Sequence, residues 1–250
     1  MTTKKARRAG QRHRPKNGPP SKARSNGAKA SRALAGGGMS LNTKLTIGLV
    51  AFLAVVITAV LVFTDKTPEA VAADARLVRA DSHTLSTAED EKVTIVEFLD
   101  FECEACGALY PSTERILTEY DGRITFVVRY FPLPGHANGE PAARAVEAAA
   151  AQGKFDEMYR MMFENQASWG ERQTSQESVF LGFAEELDLD LAEFEATMND
   201  PATADRVAKD VSDGMDLNVT GTPTLFLNGE LLDARSYEDL KLAIDEALEA

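Results

Sequence analysis

The sequence predicts an α/β domain with a helical insertion, preceded by one transmembrane helix and a disordered basic tail. Three observations lead to this prediction. A run without charged residues fills 45–64 and follows a basic segment. Two β-branched and aromatic runs, Val93–Leu99 and Ile124–Phe131, flank a stretch of helical periodicity. A block of helical patterns at about 138–215 then precedes a short pair of strands, so we place the folded domain at 90–250.

Charge divides the chain into two parts. Residues 1–64 contain twelve Lys or Arg and no acid, whereas 65–250 contain 15 basic and 39 acidic residues. Residues 1–43 are rich in Lys, Arg, Gly, Ala, Ser and Pro, a composition that buries too little apolar surface to fold. We expect a disordered cytoplasmic tail that acts as a topology signal. Binding of the tail to nucleic acid or anionic lipid is the less favoured alternative. We therefore expect no nucleic-acid partner.

Residues 44–64 are predicted to cross the lipid bilayer as one helix. Its twenty uncharged residues would rise about 30 Å, the thickness of the hydrocarbon core. A cleaved signal peptide is the alternative, because Ala-Val-Ala at 70–72 resembles a cleavage site, but its apolar and basic regions would be shorter. The excess of Lys and Arg before the span places the N-terminus in the cytoplasm. We expect a single-pass protein of the cell membrane with 65–250 extracytoplasmic, and a linker at 65–89 leading into the domain.

The first strand, the first helix and the second strand form a predicted βαβ unit. Val93–Leu99 is a near-continuous apolar run, typical of a strand buried on both faces, and only Glu97 interrupts it. A helix is predicted from about Cys103 to Tyr120, with a kink at Pro111 and an end at Gly122. The second strand follows at once, and the crossover is expected to be right-handed.

The rest of the domain is predicted to be helical until a final hairpin. Asp190 is a candidate N-cap for the third helix of the insertion, and Ser236 for the last helix of the chain. Asn228-Gly229 predicts a two-residue hairpin turn. The predicted elements are, in order, helices at Ala142–Asn165, Gln176–Leu187 and Leu191–Met198, a further helical turn after Asp200, strands at Thr224–Leu227 and Glu230–Leu232, and the last helix.

Cys103 and Cys106 are the only two cysteines in the sequence. A structural disulfide between them would close too short a loop to stabilise much. A zinc or copper site would need two more ligands, and the three histidines form no ligand-spaced cluster. A redox pair needs only this spacing: Cys103 at a helix N-terminus is activated as a thiolate, and Cys106 lies about one turn deeper. We expect neither a metal nor a cofactor.

About two-thirds of the chain resembles the thioredoxin fold, and the helical insertion makes it similar to the DsbA-like thiol:disulfide oxidoreductases. A CxxC motif between the strand and the helix of a βαβ unit is typical of that fold. Glu97, six residues before Cys103, matches the family's buried carboxylate, and Pro111 matches its helix kink. The loop Gly221–Thr224 resembles the one whose cis-proline, here Pro223, faces the cysteines.

The resemblance implies roles for three residues outside the cysteine pair. Pro223 would follow a cis peptide bond, and Thr222 would offer its backbone to an extended substrate segment. In a buried strand, Glu97 would be desolvated, its pKa would rise, and it would accept the proton of Cys106. Pairing of Glu97 with a surface Lys at a strand edge is the alternative.

Glu104 and Ala105, the residues between the cysteines, are expected to tune the redox potential. The strongly oxidising members of the family carry Pro-His at these positions, and a carboxylate at Glu104 opposes the Cys103 thiolate. We therefore expect the pKa of Cys103 to lie only modestly below its ordinary value. Outside the motif, His136 is expected at a loop surface.

The leading functional hypothesis is a membrane-anchored enzyme that introduces disulfides into exported proteins with cysteines. A membrane redox partner would regenerate its CxxC pair, and the oxidising compartment would allow the disulfide to persist. One alternative is a disulfide reductase or isomerase of the same fold, maintained reduced by a transmembrane electron carrier. Another is a non-catalytic peptide-binding module, which would keep full function in a Cys103→Ser, Cys106→Ser double variant.

The charge asymmetry around residues 44–64 yields a topology test. A reporter fused after Ala250 should be active outside the cytoplasm, and protease added to spheroplasts should digest residues 65–250. The protein should also stay in the membrane pellet at high salt, because burial of apolar residues is not screened by ions. A C-terminus protected from the protease in intact spheroplasts would refute the orientation.

Overall fold

The computed structural model describes residues 75–89 and 92–250, together with helical backbone at positions 46, 47, 50–53 and 55. The predicted tail at 1–43 lies outside the described residues, as do most of the predicted span at 44–64 and the first part of the predicted linker. Among the positions described, no helix combines the length and the apolar character needed to cross a bilayer.

Within the described residues between 83 and 249, the folded domain consists of a mixed five-stranded sheet and eight helices, which confirms the predicted α/β class. Most of the helices lie between the third and fourth strands. In chain order, the elements are β1 (His83–Ser86), β2 (Thr94–Leu99), α1 (Glu104–Glu119), β3 (Thr125–Tyr130), α2 (Gly139–Ala151), α3 (Phe155–Glu164), α4 (Gln166–Trp169), α5 (Glu177–Glu186), α6 (Leu191–Met198), α7 (Pro201–Asp216), β4 (Thr224–Leu227), β5 (Glu230–Leu232) and α8 (Tyr237–Glu249).

Strand β2 lies at the centre of the sheet, whose strand order is β1-β3-β2-β4-β5. It runs parallel to β3, with Ile95 opposite Phe126, and antiparallel to β4, with Ile95 opposite Leu227. Every residue of β2 after Thr94 is buried. A strand that is paired on both edges and covered on both faces is the environment that a continuous apolar run indicates.

Alternate residues of β2 pack into different parts of the core. Ile95 packs with apolar residues of α1 and α8. Val96 and Phe98 belong to a second cluster, which includes Val219 just after α7. Leu99, at the end of the strand, joins the large cluster formed by the helical insertion, and that cluster also contains both cysteines. The end of β2 therefore brings the sheet, the redox pair and the insertion together.

Strand β1 is not predicted by the sequence, which indicates only a linker at 65–89. It pairs antiparallel with β3 and is irregular between Thr84 and Ser86. Its four residues, His-Thr-Leu-Ser, contain no apolar run, and Leu85 is the member that packs against the core. The pairing depends on the available edge of β3, a long-range condition that a local sequence pattern does not reveal.

The prediction of a single helix at Ala142–Asn165 is wrong, because two helices, α2 and α3, occupy this region. The chain turns between them at Gly153, whose φ of 74° is a left-handed conformation that glycine adopts without steric cost. The predicted N-caps are confirmed: the side chains of Asp190 and Ser236 each accept a hydrogen bond from a backbone amide three residues later.

A buried ion cluster joins β3 to α7 and to the segment before β1. The guanidinium of Arg129 is fully buried and lies 2.8 Å from a carboxylate oxygen of Asp210 and 2.6 Å from one of Asp213. Arg129 also donates hydrogen bonds to the backbone carbonyls of residues 76–77. Burial acts to raise the pKa of Asp213, but hydrogen bonds from Arg79 and Arg129 hold it below its ordinary value. Each carboxylate is shared between Arg129 and a second, less buried arginine: Arg206 lies 2.5 Å from Asp210, and Arg79 donates hydrogen bonds to Asp213.

Replacing Arg129 should destabilise the domain strongly. Arg129→Met removes the fully buried cation that both carboxylates share and leaves each with a single, less buried arginine, so the free energy of unfolding should fall by up to about 3–5 kcal/mol in urea denaturation. Arg235→Met is the matched control, because Arg235 pairs with Asp233 on the surface, where both side chains are more than four-fifths exposed. The control should unfold like the parent protein, and equal losses in the two variants would contradict the role of burial.

Candidate active site

The cysteine pair lies where the central strand gives way to α1. Cys103 is the N-cap of α1, and its backbone amide donates to the carbonyl of Asp100 at 3.0 Å, which closes the turn after β2. Cys106 lies in the first turn of the helix, on its buried side. Both are free thiols, with 7% of Cys103 and 1% of Cys106 exposed to solvent. The more accessible sulfur is therefore the one at the helix N-terminus.

The environment of Cys103 lowers its pKa to about 5. The largest cause is a hydrogen bond from the Cys106 thiol; the Thr222 side chain and the backbone amides of Cys106 and Ala105 act in the same direction, while burial opposes them. The expectation of only a modest decrease is wrong, because it weighed the helix terminus against Glu104 and omitted these donors. Glu104 is exposed, so solvent screens its charge.

Cys106 has the opposite electrostatic environment. Burial raises its pKa well above the ordinary value, and the hydrogen bond to Cys103 and the negative charges of Glu97 and Cys103 raise it further. At neutral pH the pair therefore consists of a thiolate at Cys103 and a protonated thiol at Cys106. The thiolate is the reactive form in disulfide exchange, so the two sulfurs are suited to different steps.

Glu97 is buried in the middle of β2, opposite Val128 of β3 and Leu225 of β4. Its Oε2 atom has no hydrogen-bond partner among the described residues. Burial, and to a smaller extent the negative charge of Cys103, raises the pKa of Glu97 to about 8. Such a carboxyl group can take up and release a proton near neutral pH. The alternative of a Lys partner at a strand edge does not fit, because β2 is the central strand.

Thr222 and Pro223 lie against the cysteine pair. The peptide bond between them is cis, as the resemblance implies. The Cys103 sulfur lies 3.4 Å from the carbonyl oxygen of Thr222, to which it donates a hydrogen bond only in its protonated form. Both loop residues also line a groove of about 690 Å³, together with Ala105 and other residues of α1, β4, β5 and the loop after β5. The groove therefore runs past Thr222, whose carbonyl oxygen lies beside the Cys103 sulfur.

A polar cluster behind the cysteine turn is absent from the sequence predictions. The carboxylate of Asp100 contacts Nδ1 of His136 at 2.6 Å, and the carboxylate of Glu102 accepts a hydrogen bond from the backbone N–H of Asn138. Burial acts to lower the pKa of His136, but the hydrogen bond and charge of Asp100 outweigh it and raise the pKa. His136 is thus anchored to the site as well as lying near the surface. The sequence signal that could have predicted this cluster is the pair Asp100 and Glu102, two acids on either side of Phe101 directly after a buried strand.

A family model described as thioredoxin matches residues 86–246. The chain belongs to the thioredoxin family. Among solved structures, a thioredoxin-like oxidoreductase from Silicibacter pomeroyi is 25% identical, with a TM-score of 0.60 over 71% of this chain and 98% of that one. The α-DsbA1 protein of Wolbachia pipientis is 18% identical, with a TM-score of 0.64 over 71% and 96%. The predicted thioredoxin fold is confirmed, and the family match together with the oxidoreductase from Silicibacter pomeroyi supports a thiol:disulfide oxidoreductase.

Curated relatives of this thioredoxin-family chain include much longer proteins. The Na(+)/H(+) antiporter NhaA 1 of Salinispora arenicola is 44% identical over 139 residues, which are 55% of this chain and 20% of that protein. The Na(+)/H(+) antiporter NhaA of Herminiimonas arsenicoxydans is 35% identical over 152 residues, 59% and 23% of the respective chains. The chain spans about a fifth of the length of these relatives, so the similarity concerns one segment of each.

The causes of the low Cys103 pKa can be separated by titration. In the reduced protein, the thiolate of Cys103 should appear with a midpoint near pH 5, followed by its absorbance or its alkylation rate. Cys106→Ala removes the main hydrogen-bond donor and should raise the midpoint by about one to two units. Glu104→Gln should lower it by less than this, since Glu104 is exposed. A larger change in Glu104→Gln than in Cys106→Ala would contradict the assignment.

Proposed function

We propose that this chain is a membrane-anchored thiol:disulfide oxidoreductase that donates disulfides to exported proteins. The observation that carries the proposal is the thiolate at Cys103, beside the Cys106 thiol and the Thr222 carbonyl. Stabilising the thiolate stabilises the reduced form of the pair, and a pair whose reduced form is stable is a strong oxidant. The low pKa therefore favours donation over the reductase or isomerase alternative.

Donation begins with the Cys103–Cys106 disulfide. A client thiolate attacks Sγ of Cys103, forming a mixed disulfide and releasing Cys106 as a thiolate. Because Cys106 has a high pKa, its thiolate takes a proton, which Glu97 supplies from the buried strand. A second client thiolate then attacks the client sulfur of the mixed disulfide. Cys103 leaves as a stable thiolate, the client gains a disulfide, and the Cys103–Cys106 pair of the enzyme has been reduced by two electrons.

The substrate would lie along the groove beside the cis-proline loop. In this arrangement the Thr222 backbone pairs with the extended client segment, and the segment's cysteine is held against Cys103. A membrane redox partner reoxidises the pair after each turnover, and lipid contact through residues 44–64 would keep enzyme and partner in one plane. The N-terminus is proposed to be cytoplasmic, which is supported by the excess of basic residues before the span.

The division of labour between the cysteines is tested by trapping. In Cys106→Ala, the Cys103 thiolate attacks a client disulfide, releases one client sulfur as a thiolate and stays in the mixed disulfide, because the Cys106 sulfur that would displace the client is missing; Cys103→Ala should form none. Non-reducing gels with antibody detection measure both. Equal trapping by the two variants would overturn the assignment. Alkylation of the parent protein in cells gives the direction: an oxidised pair supports donation, and a reduced pair supports the reductase or isomerase.

Glu97→Gln adds a test of the proton step in the same system. This variant keeps the shape of the side chain but cannot carry the proton. Release of mixed disulfides by attack of Cys106, the reverse of the first step of donation, should therefore slow by about 100-fold at neutral pH, because Glu97 takes the Cys106 proton in that direction. Full retention of the release rate between about pH 6 and 8 would mean that Glu97 has a structural role alone.

A further inference from the structure

The side chain of Gln166 reaches from the helical insertion to the turn that carries Cys103. Its Nε2 atom donates two hydrogen bonds, each 2.8 Å long, to the carbonyl oxygens of Phe101 and Cys103. Only a nitrogen donor can satisfy two carbonyl oxygens, so the orientation of the amide is determined by its neighbours. Gln166 is the first residue of α4, and it therefore links the insertion directly to the active-site turn.

One of these bonds is made to the backbone carbonyl of Cys103 itself, the residue that carries the nucleophilic sulfur. The Cys103 carbonyl also accepts the amide of Gly107, at 3.1 Å, in the first turn of α1. The Cys103 amide is bonded to Asp100 on the other side. With Gln166 in place, both the backbone N–H and the carbonyl of Cys103 are hydrogen-bonded. The Gln166 amide N–H groups also offset the negative ends of the Phe101 and Cys103 carbonyl dipoles near the sulfur. The sulfur stays beside Thr222 and the helix amides.

The glycine at position 107 makes room for this contact. A Cβ atom built there would lie 2.8 Å from Cδ of Gln166 and closer still to its Oε1, so any larger residue would push the amide away. The backbone of Gly107 is not among the described positive-φ positions and lies inside α1, so its conformation does not demand glycine. Alanine is the better helix former at such a position. Glycine here serves the neighbouring side chain.

We propose that Gln166 is a positioning residue for the Cys103 nucleophile, and that Gly107 is required because a side chain there would displace the Gln166 amide. The helical insertion thereby controls the reactivity of a cysteine that belongs to the α/β core. The significance of this control rests on the proposed function, whereas the contacts themselves are independent of it.

The test compares Gly107→Ala, Gln166→Leu and the double variant in the reduced, full-length protein. The rate of Cys103 alkylation by iodoacetamide is measured by mass spectrometry at about pH 4, where it follows the thiolate fraction. Each single variant should react about 3–10-fold more slowly, the factor expected for losing hydrogen bonds near a charge, and its pH profile should move upward. The double variant should show no further loss, because both changes remove the same contact.

Folding is controlled within the same set. Gly107→Ala loses the Gln166 hydrogen bonds but gains helix propensity, so its urea midpoint should stay close to that of the parent protein. A slower reaction at an unchanged midpoint cannot come from loss of structure. Gln152→Leu is the matched control: the Gln152 amide also bridges backbone groups, those of Asp190 at 3.1 and 2.8 Å, away from the cysteines. Its alkylation rate should equal that of the parent.

Two results would overturn the proposal. Parent-like rates in Gly107→Ala and Gln166→Leu would mean that the amide does not position Cys103. Multiplying losses in the double variant would mean that Gly107 acts independently of Gln166. Alkylation uses neither client nor redox partner, so a failure here leaves the trapping experiment to judge the proposed function. Conversely, an absence of trapped clients with the expected alkylation pattern would count against the function alone.

Discussion

The burial of β2 on both faces is the constraint on which the site depends. A strand paired on both edges holds Glu97 at a fixed depth in the sheet, where its carboxyl group is shielded from bulk solvent. The same strand ends directly before the turn that carries Cys103, so the nucleophile is placed relative to the core by a rigid element. The helices and the cis-proline loop then converge on the end of this one strand.

The three ionisable groups of the site behave as one unit. Cys106 donates to Cys103 and lowers its pKa, and the resulting charge raises the pKa of both Cys106 and Glu97. One negative charge is therefore stabilised at the most accessible of three neighbouring positions, while the two buried groups keep their protons. This arrangement separates the more accessible sulfur from the two buried groups that keep a proton.

Local sequence patterns were sufficient for much of the domain. The run at 93–99 identified the central strand, and Asp190 and Ser236 marked helix starts, because each signal resides in adjacent residues. Strand β1 could not be predicted, because its pairing depends on the distant edge of β3. At the site, the resemblance led to Glu97 and the cis bond before Pro223. The strength of thiolate stabilisation required the positions of Thr222 and the helix amides, and the contact of Gln166 crosses from another part of the chain.

The lowered pKa of Cys103 also ties the stability of the fold to its redox state. In the unfolded chain this thiol would titrate near pH 9, so its stabilising contribution is complete above that pH and is lost as the pH falls to about 5. At pH 7 the difference is on the order of 2–3 kcal/mol in favour of the folded dithiol form. The disulfide form has no thiolate and lacks this contribution. In the donor role proposed above, part of the driving force for oxidising a client would therefore be stored as lost conformational stability of the enzyme, and transfer of the disulfide would return the fold to its more stable form.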